Sequence, residues 1–172
     1  MAFAIETERL RLRLRNADDA VWNLELLGEH PGGTTRTLPE ARQRLTEQHT
    51  QAHAQGFGLL TIRRRIEGDP IGYCGLLTGR ATFDEPEIAY ELLRRAHGYG
   101  YATEAAQAVL DAAFATGRQR IWATVRAWNA PSFRVLDKLG FRRDHTVTDE
   151  DGELVYMVCD DVAHVLAHRE RV

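Results

Sequence analysis

One stretch limits the fold more than any other. A strand-like run over residues 87–93 leads to two glycines one residue apart, Gly98 and Gly100, and then to a helix pattern over residues 103–116. Ala105, Ala106, Val109, Leu110, Ala113 and Phe114 recur there at helical spacing, and Gly117 supplies the stop. A second strand-like run follows at residues 120–126. A helix between two strands, set in an otherwise antiparallel series, implies one parallel pair in a mixed sheet.

The rest of the chain fits around that unit. Residues 8–15 alternate, with Leu10, Leu12 and Leu14 on one side and Arg9, Arg11, Arg13 and Arg15 on the other, which is the pattern of a half-buried strand. The arginine row is expected to be a solvated face near the sheet edge, with binding of an anion or RNA as the alternative. Asn16 or Asp18 can cap a helix reaching Leu27, and Pro31, Gly32 and Gly33 break it. A second helix, polar apart from Leu45, is expected from Thr37 to Gln55, bordering a site or mobile. Residues 57–64 and 70–78 read as a hairpin, residues 130–139 as a short helix stopped by Gly140, and residues 141–147 and 153–159 as a final hairpin. A terminal helix follows as an option. The expectation is a single mixed α/β domain over residues 1–172, with about seven strands in a mostly antiparallel sheet.

Composition narrows the function classes. The 172 residues are 44% apolar, enough for a sizeable core, and carry a net charge of -3 with a pI near 6.2. That balance argues against a dedicated nucleic-acid binder but allows a local basic pocket. Cys74 and Cys159 have no motif spacing and fit a reduced, cytoplasmic protein. No secretion signal and no membrane span is expected.

The segment from Arg95 to Glu104 carries the chemistry. Two close glycines allow a tight turn that leaves amides free to converge, and the helix behind them adds its unpaired N-terminal N–H groups and the positive end of its dipole. Together these make a phosphate cradle, with a plain loop as the alternative. The dinucleotide fingerprint fails because Thr103 stands where its third glycine belongs. A P-loop fails because Lys138, the only lysine, is far away.

At this point the sequence resembles the GNAT superfamily of N-acetyltransferases. Arg95, Gly98 and Gly100 match that family's pyrophosphate loop. The continuation through Tyr101, Ala102, Thr103, Glu104 and Ala105 is similar to the RimJ/RimL branch, which acetylates N-termini of ribosomal proteins. So are the strand from Glu87 to Leu92, the Asn129-Ala130-Pro131-Ser132 segment with Leu139-Gly140-Phe141 behind it, and the opening Thr7-Glu8-Arg9-Leu10. The resemblance implies acetyl-CoA in a wedge between residues 87–93 and 120–126. The pantetheine arm would pair near Leu92 and Arg94, and the pyrophosphate would sit on amides of His97, Gly98, Tyr99, Gly100, Tyr101, Ala102 and Thr103. Arg95 would add charge, Asn129 would bind pantetheine, and Ser132 would lie near the sulfur. No metal is implied. The acceptor would be a primary amine, on a protein N-terminus or a small molecule, and the protein a monomer or homodimer.

Acyl transfer needs a proton acceptor for the amine. Glu87 is the first candidate and Glu91 the second; alternation sets both on one strand face with Ala89 between them. Surface roles are the competing reading for both. Ser132 either donates to the leaving sulfur or caps the helix at Pro131. The pairs His49/His53 and His164/His168 have metal-like spacing but no third ligand, and read as surface histidines. Trp122 is expected in the core, and Trp128 either near the site or merely exposed. A CoA-binding module without catalysis and a ribosome- or RNA-binding protein are the rival functions.

Overall fold

A computed structural model describes residues 1–161. The terminal helix option and the His164/His168 pair lie outside the described residues. The elements run β1 (Ala4–Glu6), β2 (Leu10–Leu14), a 3-10 turn (Ala17–Asp19), α1 (Ala20–Gly28), α2 (Leu38–Gln55), β3 (Leu59–Arg64), β4 (Pro70–Leu77) and β5 (Glu87–Leu92). They continue through a 3-10 turn (Arg94–Ala96), α3 (Tyr101–Phe114), β6 (Arg120–Arg126), α4 (Ala130–Lys138), β7 (Arg142–Asp149) and β8 (Gly152–Asp160).

These strands form an eight-stranded sheet, ordered β1-β2-β3-β4-β5-β6-β8-β7. It has one strand more than expected. β1 is three residues long and pairs antiparallel with β2 through Ala4–Arg13, Ile5–Leu12 and Glu6–Arg11, too short to show a period of its own. β5 and β6 are parallel, as the crossover required, and the other adjacent strands run antiparallel.

One sheet face packs on α3 and α4. Leu10, Leu12, Leu60, Ile62, Cys74, Leu76, Ile88 and Ile121 meet Ala105, Ala106, Val109, Ala113 and Leu136 there in a single apolar cluster. Alanines along α3 let the helix lie close to the strands. α1 and α2 form smaller clusters, Trp22, Leu26 and Leu93 with Tyr73, and Ala20, Ala41 and Leu45. Trp122 is not in the core. Ile121, Ala123 and Val125 take the buried side of β6, so Trp122 falls half-buried on the other side, where its indole donates to Glu85 at 2.9 Å.

Half of the arginine row departs from expectation, because helices cover its far end. Arg9 and Arg11 keep solvent-facing pairs, with Glu104 and Glu6. Arg13 forks onto Asp19 at 2.8 and 3.2 Å, and Arg15 is buried. Asp19 closes a capping box with Asn16 and also accepts from Trp22 and Thr61, tying β2, β3 and α1 to one carboxylate.

Candidate active site

The parallel pair opens almost as soon as it forms. Its one register match is Glu87 with Trp122, backed by the Trp122 amide donating to the Pro86 carbonyl at 2.9 Å. Two residues on, the Thr124 amide donates to the Glu87 carboxylate at 3.1 Å rather than to a strand carbonyl. The Thr124 hydroxyl bonds the same oxygen, and the other oxygen accepts from the Arg80 amide at 3.2 Å. Glu87 is buried at this hinge. Past it, β5 and β6 diverge into a wedge whose mouth is flanked by the start of α3 and the start of α4.

β5 reaches the mouth under tight constraint from β4. Gly72, at φ +153, lies so near that an added Cβ would sit 2.1 Å from the Glu91 carbonyl oxygen and 2.8 Å from the Leu92 Cα. Beyond Leu92, the His97 ring donates from Nε2 to the Leu92 carbonyl at 2.8 Å, folding the loop back on the strand. Gly98 and Gly100 take φ +83 and +80, a region that side chains other than glycine rarely occupy. The amides of Gly100, Tyr101, Ala102 and Thr103 have no acceptor among the described residues. Helix N-terminal donors left open in this way favour an anion.

The acetyltransferase (GNAT) domain family matches residues 8–142. The chain belongs to the GNAT family. Among curated relatives, the uncharacterised N-acetyltransferase p20 of Bacillus licheniformis is 29% identical over 83% of this chain and 84% of its own. The uncharacterised protein YkkB of Bacillus subtilis is 32% identical over 82% and 86%. An acetyltransferase of Agrobacterium tumefaciens is similar in structure at TM-score 0.77 and 26% identity, covering 94% of this chain and 96% of its own. A ribosomal-protein-S5-alanine acetyltransferase of Vibrio fischeri shares the fold at TM-score 0.77 and 21% identity, covering 93% and 97%. So does an aminoglycoside acetyltransferase, AAC(6')-Ib, solved with coenzyme A, at TM-score 0.72 and 22% identity, covering 95% and 99%.

In this GNAT domain the two arginines of the loop are drawn away from the open amides. Arg95 pairs with Glu25 of α1 and donates to the Pro70 carbonyl at 2.9 Å. Arg94 holds Glu29, through its amide at 2.8 Å and its guanidinium at 2.7 Å. The cation beside the loop is Arg9. It donates to the Tyr99 carbonyl at 2.9 Å, pairs with Glu104 at 2.6 Å and lies 4.8 Å from the centre of the Tyr101 ring. Burial alone would raise the Glu104 carboxyl. Hydrogen bonds from Thr7 and Arg9 outweigh it and hold that carboxyl below its ordinary range. Arg9 and Glu104 lie in two separate family-like blocks of the sequence, and nothing in sequence spacing links residues 95 positions apart.

Glu91 lies at the open end of β5, on the Glu87 side of the strand. It is paired with Tyr73 in the ladder, accepts from the Tyr73 hydroxyl at 3.2 Å and contacts Nε2 of His30, which follows α1. Its side chain is 30% exposed, whereas Glu87 has both oxygens engaged. Burial pushes the Tyr73 hydroxyl well above its ordinary value, with Glu91 adding to the effect, so Tyr73 stays a donor to Glu91. Nothing in the sequence singles out Tyr73 or His30; the first is a strand aromatic and the second a lone loop histidine, and only packing brings them together.

At the other rim, Asn129 caps α4 by accepting the Ser132 amide at 3.3 Å, so the cap is Asn129 and not Ser132. The Ser132 carbonyl accepts from the Tyr90 hydroxyl at 3.1 Å, which ties α4 to β5 across the wedge. Trp128 is exposed beside this rim. Cys74 is fully buried in the core, and burial raises its thiol. His49 and His53 bond each other at 3.2 Å, and His49 donates from Nδ1 to the Arg15 carbonyl, so this pair fastens α2 to the end of β2.

Proposed function

We propose that the chain is one N-acetyltransferase domain, acting in the cytoplasm, that moves acetyl from acetyl-CoA to a primary amine by direct attack in a ternary complex. The observation that carries this reading is the opened β5–β6 pair with the uncommitted amides of α3 on its rim. The amides of Gly98, Gly100, Tyr101, Ala102 and Thr103 suit a pyrophosphate, with Arg9 as the neighbouring cation. The β5 edge near Leu92 suits a pantetheine arm. Asn129 and Ser132 suit its sulfur end.

The neutral amine attacks the thioester carbonyl, its nitrogen loses a proton, and the carbon–sulfur bond breaks to release CoA thiolate. A strand amide near Glu91 or Leu92 is the donor for the developing oxyanion. Glu91 is the better proton acceptor because it stands at the open end of the strand. Glu87 holds the hinge. Tyr73 orients the Glu91 carboxylate, and His30 carries the proton onward to solvent. Much of the rate enhancement comes from alignment, since a thioester is already activated. The aminoglycoside and ribosomal-protein enzymes of like fold support an amine acceptor in general terms.

The test is calorimetric titration with acetyl-CoA, with NADH and ATP as controls, followed by thiol release on adding primary amines. Micromolar binding of acetyl-CoA alone, with thiol release dependent on amine, is the expected result. Absence of acetyl-CoA binding would overturn the reading. Binding without turnover on any amine would leave a CoA-binding module.

A further inference from the structure

Arg15 is a buried cation whose guanidinium has no hydrogen-bond acceptor among the described residues. It is 6% exposed, and its Nε is shielded from solvent with no acceptor. Its guanidinium carbon lies 4.9 Å from the Tyr73 ring centre and 5.9 Å from that of Trp22. Ring faces attract the charge but cannot accept the planar fork of N–H donors. The nearby acids are already used. Asp19 receives Arg13, Asn16, Trp22 and Thr61, and Glu91 receives Tyr73 and His30. Burial draws the Arg15 guanidinium below its ordinary pKa, and the charges of Asp19 and Glu91 offset this only in part. Buried charges are otherwise paired, so such a group calls for a counter-ion.

A cavity lies beside it. Arg15, Gln48, Gln51, Leu59, Leu77 and Thr78 are among its walls, and its volume is about 170 Å³. A second polar atom on this wall, the Gln48 Oε1, is also shielded and unpartnered. The His49 bond to the Arg15 carbonyl, at 2.8 Å, holds the backbone on which the guanidinium hangs. The row of the sheet that holds Arg15 runs on to β5. The Arg15 amide donates to Leu59, Leu59 pairs with Gly75, and Gly75 pairs with Ala89 of β5, next but one to Glu91. Tyr73, under the guanidinium, touches Glu91 directly.

We infer that the acceptor is a small amine bearing a carboxylate, of amino-acid class, and that Arg15 receives the carboxylate while the amine faces the wedge. This rests on the acetyltransferase reading above. The guanidinium fork matches a carboxylate in two parallel hydrogen bonds, and the Gln48 carboxamide, turned over, offers its N–H groups to the same carboxylate. Size agrees, because a cavity of roughly 150 Å³ holds a benzene-sized molecule. A polycationic sugar ring system would meet a buried positive charge here.

The experiment compares amines that differ only in the carboxylate: alanine with alaninamide and ethylamine, and 4-aminobutyrate with butylamine. For wild-type protein, kcat/KM for the carboxylate member should exceed its partner by roughly tenfold to a hundredfold. Arg15→Met, which keeps apolar bulk between Trp22 and Tyr73, should abolish that ratio while leaving acetyl-CoA affinity unchanged. Equal use of the paired amines by wild type, or an unchanged ratio in Arg15→Met, overturns the inference. If Arg15→Met does not fold, Gln48→Leu serves, with a smaller fall in the same ratio, and the wild-type comparison still decides. Calorimetric titration of alanine against alaninamide, without any acetyl donor, reads the pocket separately from turnover. Failure to bind acetyl-CoA in its own titration sinks the enzyme reading, and failure to prefer alanine over alaninamide sinks this one.

Discussion

Single residues set what the wedge can hold. Gly100 sits at φ +80, and a Cβ placed on it would have only Arg9 within 4 Å, at 3.6 Å. The protein therefore leaves that side of the loop open, and Gly100→Val would fill it. The left-handed backbone adds strain of about 1–3 kcal/mol. We expect acetyl-CoA affinity to fall at least tenfold by calorimetry; unchanged affinity would remove the loop from the site. Glu91→Gln keeps the Tyr73 contact but cannot take a proton. It should lower kcat on the order of a hundredfold, and the fall in rate toward acid pH should flatten while acetyl-CoA binding persists. An unaltered pH–rate profile would clear Glu91 of the role.

Elements convert those residues into geometry. β5 starts bonded to β6 and ends free of it, and the Glu87 carboxylate replaces the strand acceptor that Thr124 would otherwise seek. Glu87→Gln retains one acceptor but loses the second oxygen that the Arg80 amide uses. The expected outcome is a severalfold rise in the acetyl-CoA dissociation constant with the shape of the pH–rate profile retained, the reverse of the Glu91 variant. α2 is polar and depends on its ends. Thr37 and Glu40 close a capping box at its start, and Gly56 ends it at φ +75. Thr37→Ala should cost about 1 kcal/mol in urea denaturation. Because α2 walls the Arg15 cavity, the same change should disturb the acceptor more than acetyl-CoA, which a comparison of their KM values would reveal.

Across the whole molecule, charge is arranged as carboxylates held by arginines. Burial tends to raise Asp19, but bonds from Trp22, Asn16, Thr61 and Arg13 hold it below its ordinary 3.8. Glu104 is likewise held below 4.5. Asp149 is lowered by Arg126, and Asp160 by Arg120 and Arg142. Acids depressed in the folded state stabilise it fully above their unfolded values, and that stability is lost as pH falls through the folded values. The fold should therefore keep its stability from neutrality down to about pH 5 and lose it progressively below about pH 4. Urea midpoints measured across that range check this. Asp19→Asn should blunt the acid loss and lower stability at neutral pH, since it leaves Arg13 short of its partner; a midpoint unchanged at pH 7 would contradict the hub role.

Sequence alone determined the crossover at β5–α3–β6, since helical spacing between two strand runs leaves few other arrangements. It determined the loop as well, because two glycines one residue apart before a helix are local chemistry. The final hairpin and the helix limits near Gln55 and Lys138 came from caps and turns of the same local kind. Tertiary structure decided the rest. β1 has no signal until β2 pairs with it. The arginine row alternates as a solvated face would, yet α1 and α2 cover Arg15 and Arg13 while Arg9 and Arg11 stay exposed, because side-chain period reports a face and not what lies over it. Trp122 and Ile121 are neighbours of similar apolarity, and the sheet, not their composition, chose which is buried. Glu87 and Glu91 share a strand face in the sequence; only the divergence of β6 made one a hinge and the other an open carboxylate. Distances along the chain carry no information about such meetings, and Arg9 with Glu104 or Glu91 with His30 arise from packing alone.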